Sequence, residues 1–383
     1  VNLPGADFDR SLLHTAARHL APLHQLLEHA DPAGRVSPRS RLLCAGLSCL
    51  ARACYAALGG RRELEAVGEA AAMLSLLTKI DDEIIDAIDF HGGPLAPTPE
   101  RRELDRRTRA YLAPTLASLR AATPVNAEPR CHFAAVLGQR LRALAGSRER
   151  LEHVLDTIAF GWEVQVRAVR LLSSDPARVD PAAVEAVTAD ISGAWLLMIT
   201  MIGELPEDAR RPLDAGECAA FYRWGLHIQT ADAFADLAKD TADGLVASRP
   251  GVRLAARAPG LWRQALTQGE LGPLYRELAR AEIDRACLPA AAELDALAGA
   301  LAGLGHVGAW LRWIHGFLSW RWLIHPLCPR EADELELDRL FPDRLGRELG
   351  RGWAGGWARW QRAITAASER PADRQEVRPC SAR

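Results

Sequence analysis

Gln229-Thr-Ala-Asp232-Ala-Phe234-Ala-Asp236-Leu-Ala-Lys239-Asp240 sets an aspartate at every fourth position, with small or apolar residues between. Read as a helix, the stretch stacks Asp232, Asp236 and Asp240 one turn above another in a slightly oblique stripe. Like charges at that spacing destabilise an isolated helix by about a few tenths of a kcal/mol per pair. Something must offset the repulsion, and a hard divalent cation does so with the oxygen ligands it prefers.

A second acidic cluster lies upstream, Thr78-Lys79-Ile80-Asp81-Asp82-Glu83-Ile84-Ile85-Asp86-Ala87-Ile88-Asp89. Helical spacing aligns Asp82, Asp86 and Asp89, while Ile84, Ile85 and Ile88 point elsewhere and can pack. Two carboxylate stripes, each near the end of a long apolar helix, suggest a site between helices for several Mg²⁺ ions and a polyanion. The only two lysines in the chain, Lys79 and Lys239, each belong to one of these clusters. An ammonium there can hold a phosphate oxygen as a point charge. Two lysines left over in an Arg-biased chain are the plain alternative.

Composition points to one large helical domain over 1–368. Ala, Leu and Arg dominate, and no alternating apolar/polar pattern marks a strand. A formal net charge of −2 gives nucleic-acid binding no electrostatic support. The eight cysteines form no CxxC pair. Cys44, Cys49 and Cys54 step by five, as do His14, His19, His24 and His29, so neither set lines one helix face for zinc. Free buried thiols are expected. With neither a signal-like segment nor an apolar run near the membrane-spanning length, the expectation is a cytoplasmic protein without stable membrane insertion.

Along the chain, a helix interrupted by Pro22 precedes the Asp31-Pro32-Ala33-Gly34 break, and another from Pro38 stops at Gly59-Gly60. A long helix from Arg61 carries the first cluster, and His91–Thr98 follows as a breaker-rich rim. A charged helix then begins near Pro99, kinked or split at Pro114. Helices over 128–145, 148–172 and 181–203 come next, the last marked by Ser192-Gly193 as a kink or a close backbone approach. The helix carrying the second cluster runs over 214–240, and Asp243-Gly244 and Pro250-Gly251 end it in a loop. A Trp-rich helix spans 305–324. Trp353, Trp357 and Trp360 stripe a final helix as core or as the face of a homodimer. The polar tail over 369–383 is expected to be disordered.

In helix order and in its two Asp-rich clusters, the chain resembles the class I isoprenoid (terpenoid) synthase superfamily. Asp82-Glu83-Ile84-Ile85-Asp86 reads DExxD, a variant of the first family motif that also resembles squalene and phytoene synthases. Asp232, Asp236 and Asp240 fall at the ligand places of the terpene-cyclase motif NDxxSxxKE, with Lys239 matching its Lys. The Asn, Ser and Glu of that motif are all replaced by Asp. Gln229, Asp232 and Asp236 also match part of FQxxDDxxD. A DxFxDxxxD form, shared with bacterial large-terpene synthases, fits Asp232, Phe234, Asp236 and Asp240 best. Glu163-Val-Gln165-Val looks like the DLQV segment of that group, and Trp313-Ile-His-Gly316-Phe-Leu-Ser-Trp320 is similar to the cyclase WxxGxxxW helix. The Arg-Tyr pair that normally follows, and the upstream Arg sensor near 184–193, are not recognisable.

The resemblance implies an all-α antiparallel barrel around an apolar cavity, with three Mg²⁺ ions and a prenyl diphosphate at its mouth. Asp82, Glu83 and Asp86 would hold metal on one side, and Asp232, Asp236 and Asp240 on the other. Lys239, with Arg167 and Arg170, would contact the diphosphate. Trp162, Trp195, Phe234, Trp313, Phe317 and Trp320 are candidates to line the cavity, where an aromatic face stabilises a cation by about 0.5–2 kcal/mol. Ordinary core packing is the alternative for each. The expected activity is a terpene synthase that ionises a linear prenyl diphosphate and releases a cyclic terpene. The alternatives are a prenyltransferase of the same fold and, from another class, a non-catalytic helical scaffold. A di-iron bundle would want ExxH pairs on two helices, and the sequence has no such set.

Overall fold

The computed structural model describes residues 18–36, 41, 44–86, 98–235, 247–257, 259–260, 291–305, 307–308 and 311. These residues are helical wherever they are regular, with no strand among them, as the composition predicts. After a short 3₁₀ turn at Ala21–Leu23, which begins at the predicted Pro22 interruption, come α1 (His24–Ala30) and α2 (Ser48–Ala57). Then follow α3 (Leu64–Asp86), α4 (Thr98–Ala121), α5 (Pro129–Leu144), α6 (Arg148–Leu172), α7 (Pro181–Met201) and α8 (Ala215–Ala235). The last described helices are α9 (Arg249–Arg257) and α10 (Ala291–Ala300). The 91–98 rim up to Pro97, the Trp-rich segments and the tail lie outside the described residues.

Local chemistry accounts for the boundaries. Gly59, at φ +94°, follows the end of α2 in the left-handed region that favours glycine. Ser147 caps α6 by accepting the Arg150 amide, and Asp180 with Pro181 opens α7. Pro114 does not split α4, which runs through it as one helix. Pro250-Gly251 departs from the predicted loop and sits in the first turn of α9. Proline's missing N–H costs nothing in that turn, and Ser248 Oγ accepts the Gly251 amide.

Most buried apolar side chains form one cluster, and α7 runs through its middle, against α2, α3, α6 and α8. The segment Pro181–Glu204 is in fact long and apolar enough to cross a membrane by length and composition, contrary to the expectation that no such run exists. Its most apolar window is 72% buried among the other helices, which accounts for that apolarity as core packing. Ser192-Gly193 marks a close approach of backbones. A Cβ on Gly225 of α8 would stand 2.2 Å from the Gly193 amide nitrogen. All five described cysteines are free, as expected, with Cys44, Cys54 and Cys131 buried and Cys49 and Cys218 half-buried.

Side-chain contacts give the helix directions. Arg150, at the start of α6, donates to the carbonyls of Glu204, Pro206 and Ala209, just past the end of α7. Arg167, late in α6, pairs with Asp190, midway along α7. These two helices are therefore antiparallel, and so are α7 and α8, since Ser192 meets Gln229 while Glu204 accepts the Leu213 amide just before α8. Asp208 binds the backbone at Arg61 and Arg62, before α3 begins, whereas Gln165 of α6 reaches Asp82 near its end. Thus α3, α6 and α8 rise from a lower end to an upper one, and Asp82 and Asp232 both lie toward the upper end.

Candidate functional site

Near the top of α3, neighbouring aspartates take opposite roles. Asp81 is buried and turns inward, accepting from Tyr111 Oη and Trp162 Nε1 at 3.2 Å each. Arg130, itself buried, lies 3.7 Å away, stacks on the Tyr111 ring and donates to Thr115. Burial pushes the Asp81 carboxyl up to about 7, against the pull of Arg130, Tyr111 and Trp162. Asp81 is thus an internal anchor tying α3 to α4, α5 and α6.

Asp82 and Glu83 stay about one-third exposed, at 32% and 31%. Lys79 Nζ stands between them, 2.7 Å from Asp82 Oδ2 and 2.8 Å from Glu83 Oε1. Burial alone would lower the Lys79 pKa, but the charges and hydrogen bonds of Asp82 and Glu83 outweigh it and hold the ammonium protonated. The other Asp82 oxygen, Oδ1, accepts from Gln165 Nε2 at 2.9 Å. Beneath lies the buried Cys44 thiol, pushed up to about 11 by desolvation.

On α8, Gln229 Nε2 donates to Asp232 Oδ2 at 3.2 Å, and Ser192 Oγ of α7 donates to Gln229 Oε1 at 2.5 Å. Arg249 donates to Thr230 Oγ1 at 2.7 Å and lies 3.8 Å from Glu185, which stitches α9 to this end of α7 and α8. Two polar clusters therefore stand in this half of the bundle, one of Lys79, Asp82, Glu83 and Gln165 on α3 and α6, the other of Ser192, Gln229 and Asp232 on α7 and α8. Among the described residues α3 and α8 share no extensive interface, and both pack on α7.

The remaining predicted residues distribute as follows. Arg167 and Arg170 lie on the exposed stripe of α6, on the side away from Gln165. Arg167 is engaged by Asp190 and lies 5.7 Å from the Phe160 ring centroid, while Arg170 is exposed. Trp162 is buried with its indole N–H committed to Asp81, and Trp195 packs half-buried against the core. Asp86 and Phe234 stand on described backbone, but their side chains lie outside the described set, as do Asp236, Lys239, Asp240, Trp313, Phe317 and Trp320 altogether.

The upper end offers hard oxygen donors, and among the described residues no group of three or more His, Cys, Asp or Glu converges to hold a metal ion. Mg²⁺ takes one or two carboxylates per ion and completes its shell with water and phosphate. The partly exposed carboxylates of Asp82, held by Gln165 and Lys79, and of Asp232, held by Gln229, are oxygen donors of the kind that chemistry uses. Sequence reasoning missed Asp81 as an anchor, Ser192 as a polar contact and Gln165 as a partner of Asp82. Only the DLQV-like segment pointed to Gln165, and nothing marked Ser192 beyond its glycine neighbour. No protein-family model, curated protein or solved structure matches the chain.

Proposed function

We propose that the chain is a Mg²⁺-dependent terpene synthase of the class I type, acting on a linear prenyl diphosphate. One observation supports this reading: Asp82 near the end of α3 and Asp232 near the end of α8, 150 residues apart in sequence, stand toward the same end of one helical bundle, each accepting from a glutamine amide. Acids used only as solvated faces have no reason to be held by partly buried amides at one end of the bundle, which weighs against the scaffold alternative.

In this reading Asp82 and Asp232, continued by Asp86, Asp236 and Asp240, hold the cations. Bound Mg²⁺ supplies Lewis acidity to the diphosphate oxygens. The allylic C–O bond breaks, its electron pair leaves with diphosphate, and the remaining carbocation closes a ring before losing a proton or taking up water. Lys239 is the cation assigned to the diphosphate, because Arg167 is engaged by Asp190 and Arg170 faces outward. Apolar side chains exclude water until the cation is quenched.

Incubation with prenyl diphosphates from C10 upward and Mg²⁺, followed by mass spectrometry, tests the reading. The expected result is Mg²⁺-dependent release of a hydrocarbon or alcohol from a single substrate. A longer diphosphate or a head-to-head product would replace it with the prenyltransferase alternative. No turnover on any chain length, together with no binding of Mg²⁺ and pyrophosphate, would overturn both.

A further inference from the structure

Two glutamines stand in corresponding places beside the two acidic stretches. Gln165, half-buried on the inward side of α6, donates to one oxygen of Asp82. Gln229, one turn before Asp232, donates to one oxygen of that aspartate. An ionised carboxylate only accepts hydrogen bonds, whereas a carboxamide has one accepting and one donating end. Ser192 Oγ occupies the accepting end of Gln229, so the amide must turn its NH₂ toward Asp232. The close passage of Gly193 along α8 brings the short serine side chain within reach.

Asp82 also meets Lys79 at its other oxygen, and a carboxylate held by such donors cannot spin freely, so its remaining lone pairs keep a set direction. Partners of this kind around a ligating carboxylate matter for affinity: their loss typically costs about 10–100-fold in metal binding. Loss of a merely structural contact would instead appear in the stability of the metal-free chain.

We infer that Gln165 and the Ser192–Gln229 pair are positioning residues that orient the Asp82 and Asp232 carboxylates toward a divalent cation carrying diphosphate. The inference rests on the proposed function, and its test separates the two. The full chain is titrated calorimetrically with Mg²⁺ in the presence of inorganic pyrophosphate. Wild type is compared with Gln165→Leu, Gln229→Leu and Ser192→Ala, with Asp82→Asn and Asp232→Asn as references. Thermal midpoints are measured without metal.

Both leucine variants should bind about 10–100-fold more weakly, with metal-free midpoints near wild type. Ser192→Ala removes only the orienting bond, so its loss should be smaller, about severalfold. If either leucine variant fails to fold, Gln165→Met or Gln229→Met, which keeps the side-chain length and removes the donor without adding charge, should show the same weakening. Affinities within about twofold of wild type, while the asparagine references lose binding, would overturn the positioning role and leave the proposed function standing. Weakening that only tracks a falling thermal midpoint would also overturn it. Absence of binding by wild type itself would sink the proposed function and this inference with it.

Discussion

At the lower end of the bundle Asp208 accepts the Arg61 and Arg62 amides and the Tyr55 hydroxyl, and Glu204 accepts the Leu213 amide. Glu217 likewise accepts the Asp214 amide and a two-pronged contact from Arg211. At the upper end Asp82, Glu83 and Asp232 accept instead from the side chains of Lys79, Gln165 and Gln229. A backbone donor that loses its acceptor is orphaned, whereas a side-chain donor can turn toward water or another partner. The lower acids therefore close turns and start helices. The upper ones are held in place yet open to exchange, as the proposed binding role requires.

The sharpest way to break this contrast is to delete acids at each end. Asp82→Ala and Asp232→Ala should lower Mg²⁺-dependent turnover of a prenyl diphosphate by about a hundredfold or more. Their metal-free thermal midpoints should stay near wild type, because each removes a charge from a crowded acidic stretch. Asp208→Ala should do the reverse. It leaves the Tyr55 hydroxyl and the Arg61 amide without that acceptor, while the Arg62 amide keeps Tyr55 Oη, and should cost about 1–3 kcal/mol in denaturant unfolding. Binding of Mg²⁺ with pyrophosphate should be unchanged. If Asp208→Ala lost binding while Asp82→Ala lost stability, the assignment of the two ends would be inverted.

The sequence carried the all-α class because helical apolar spacing, the lack of alternation and proline or glycine breaks are local signals. For α5, α6 and α7 it placed the boundaries within two residues. It separated Asp82 from the packing isoleucines, and Ile85 is indeed buried. Asp81 defeated it, because a buried carboxylate is recognisable only from partners 30 to 81 residues away, in Tyr111, Arg130 and Trp162. Lys79 was seen as a cation beside acids. That it stands between Asp82 and Glu83 depends on rotamers, which spacing alone leaves open. The apolar length of α7 was missed because Glu185 and Asp190 interrupt its apolar residues near the start.

Lys79 offers a finer test of the upper end. Its ammonium neutralises the carboxylates that a divalent cation would meet. Lys79→Gln should therefore tighten Mg²⁺ binding by about tenfold, the scale of removing one positive charge near a second cation in a well-solvated site. Calorimetric titration reads the change, and it should shrink as salt is raised. Equal or weaker affinity would mean that Lys79 assists binding, by meeting the anion rather than by standing in for the metal.

The smallest expected effect is at the lower end and concerns pH. Burial raises the Glu204 pKa above the ordinary glutamate value, with Glu217 adding to the rise. The Leu213 amide, His153 and Arg150 oppose it. A raised carboxyl binds its proton more tightly folded than unfolded, so its contribution is fully present below the ordinary glutamate value and is lost as pH rises through the folded one. Wild type should thus lose a little stability on going from mildly acid toward neutral pH, a loss that Glu204→Gln abolishes. The glutamine keeps an oxygen for the Leu213 amide, so the two proteins should melt alike in acid and diverge, with the variant higher, as neutrality is approached. Parallel melting curves across that range would place the Glu204 carboxylate in a more solvated setting than its burial implies, and would bring the lower end closer in character to the upper.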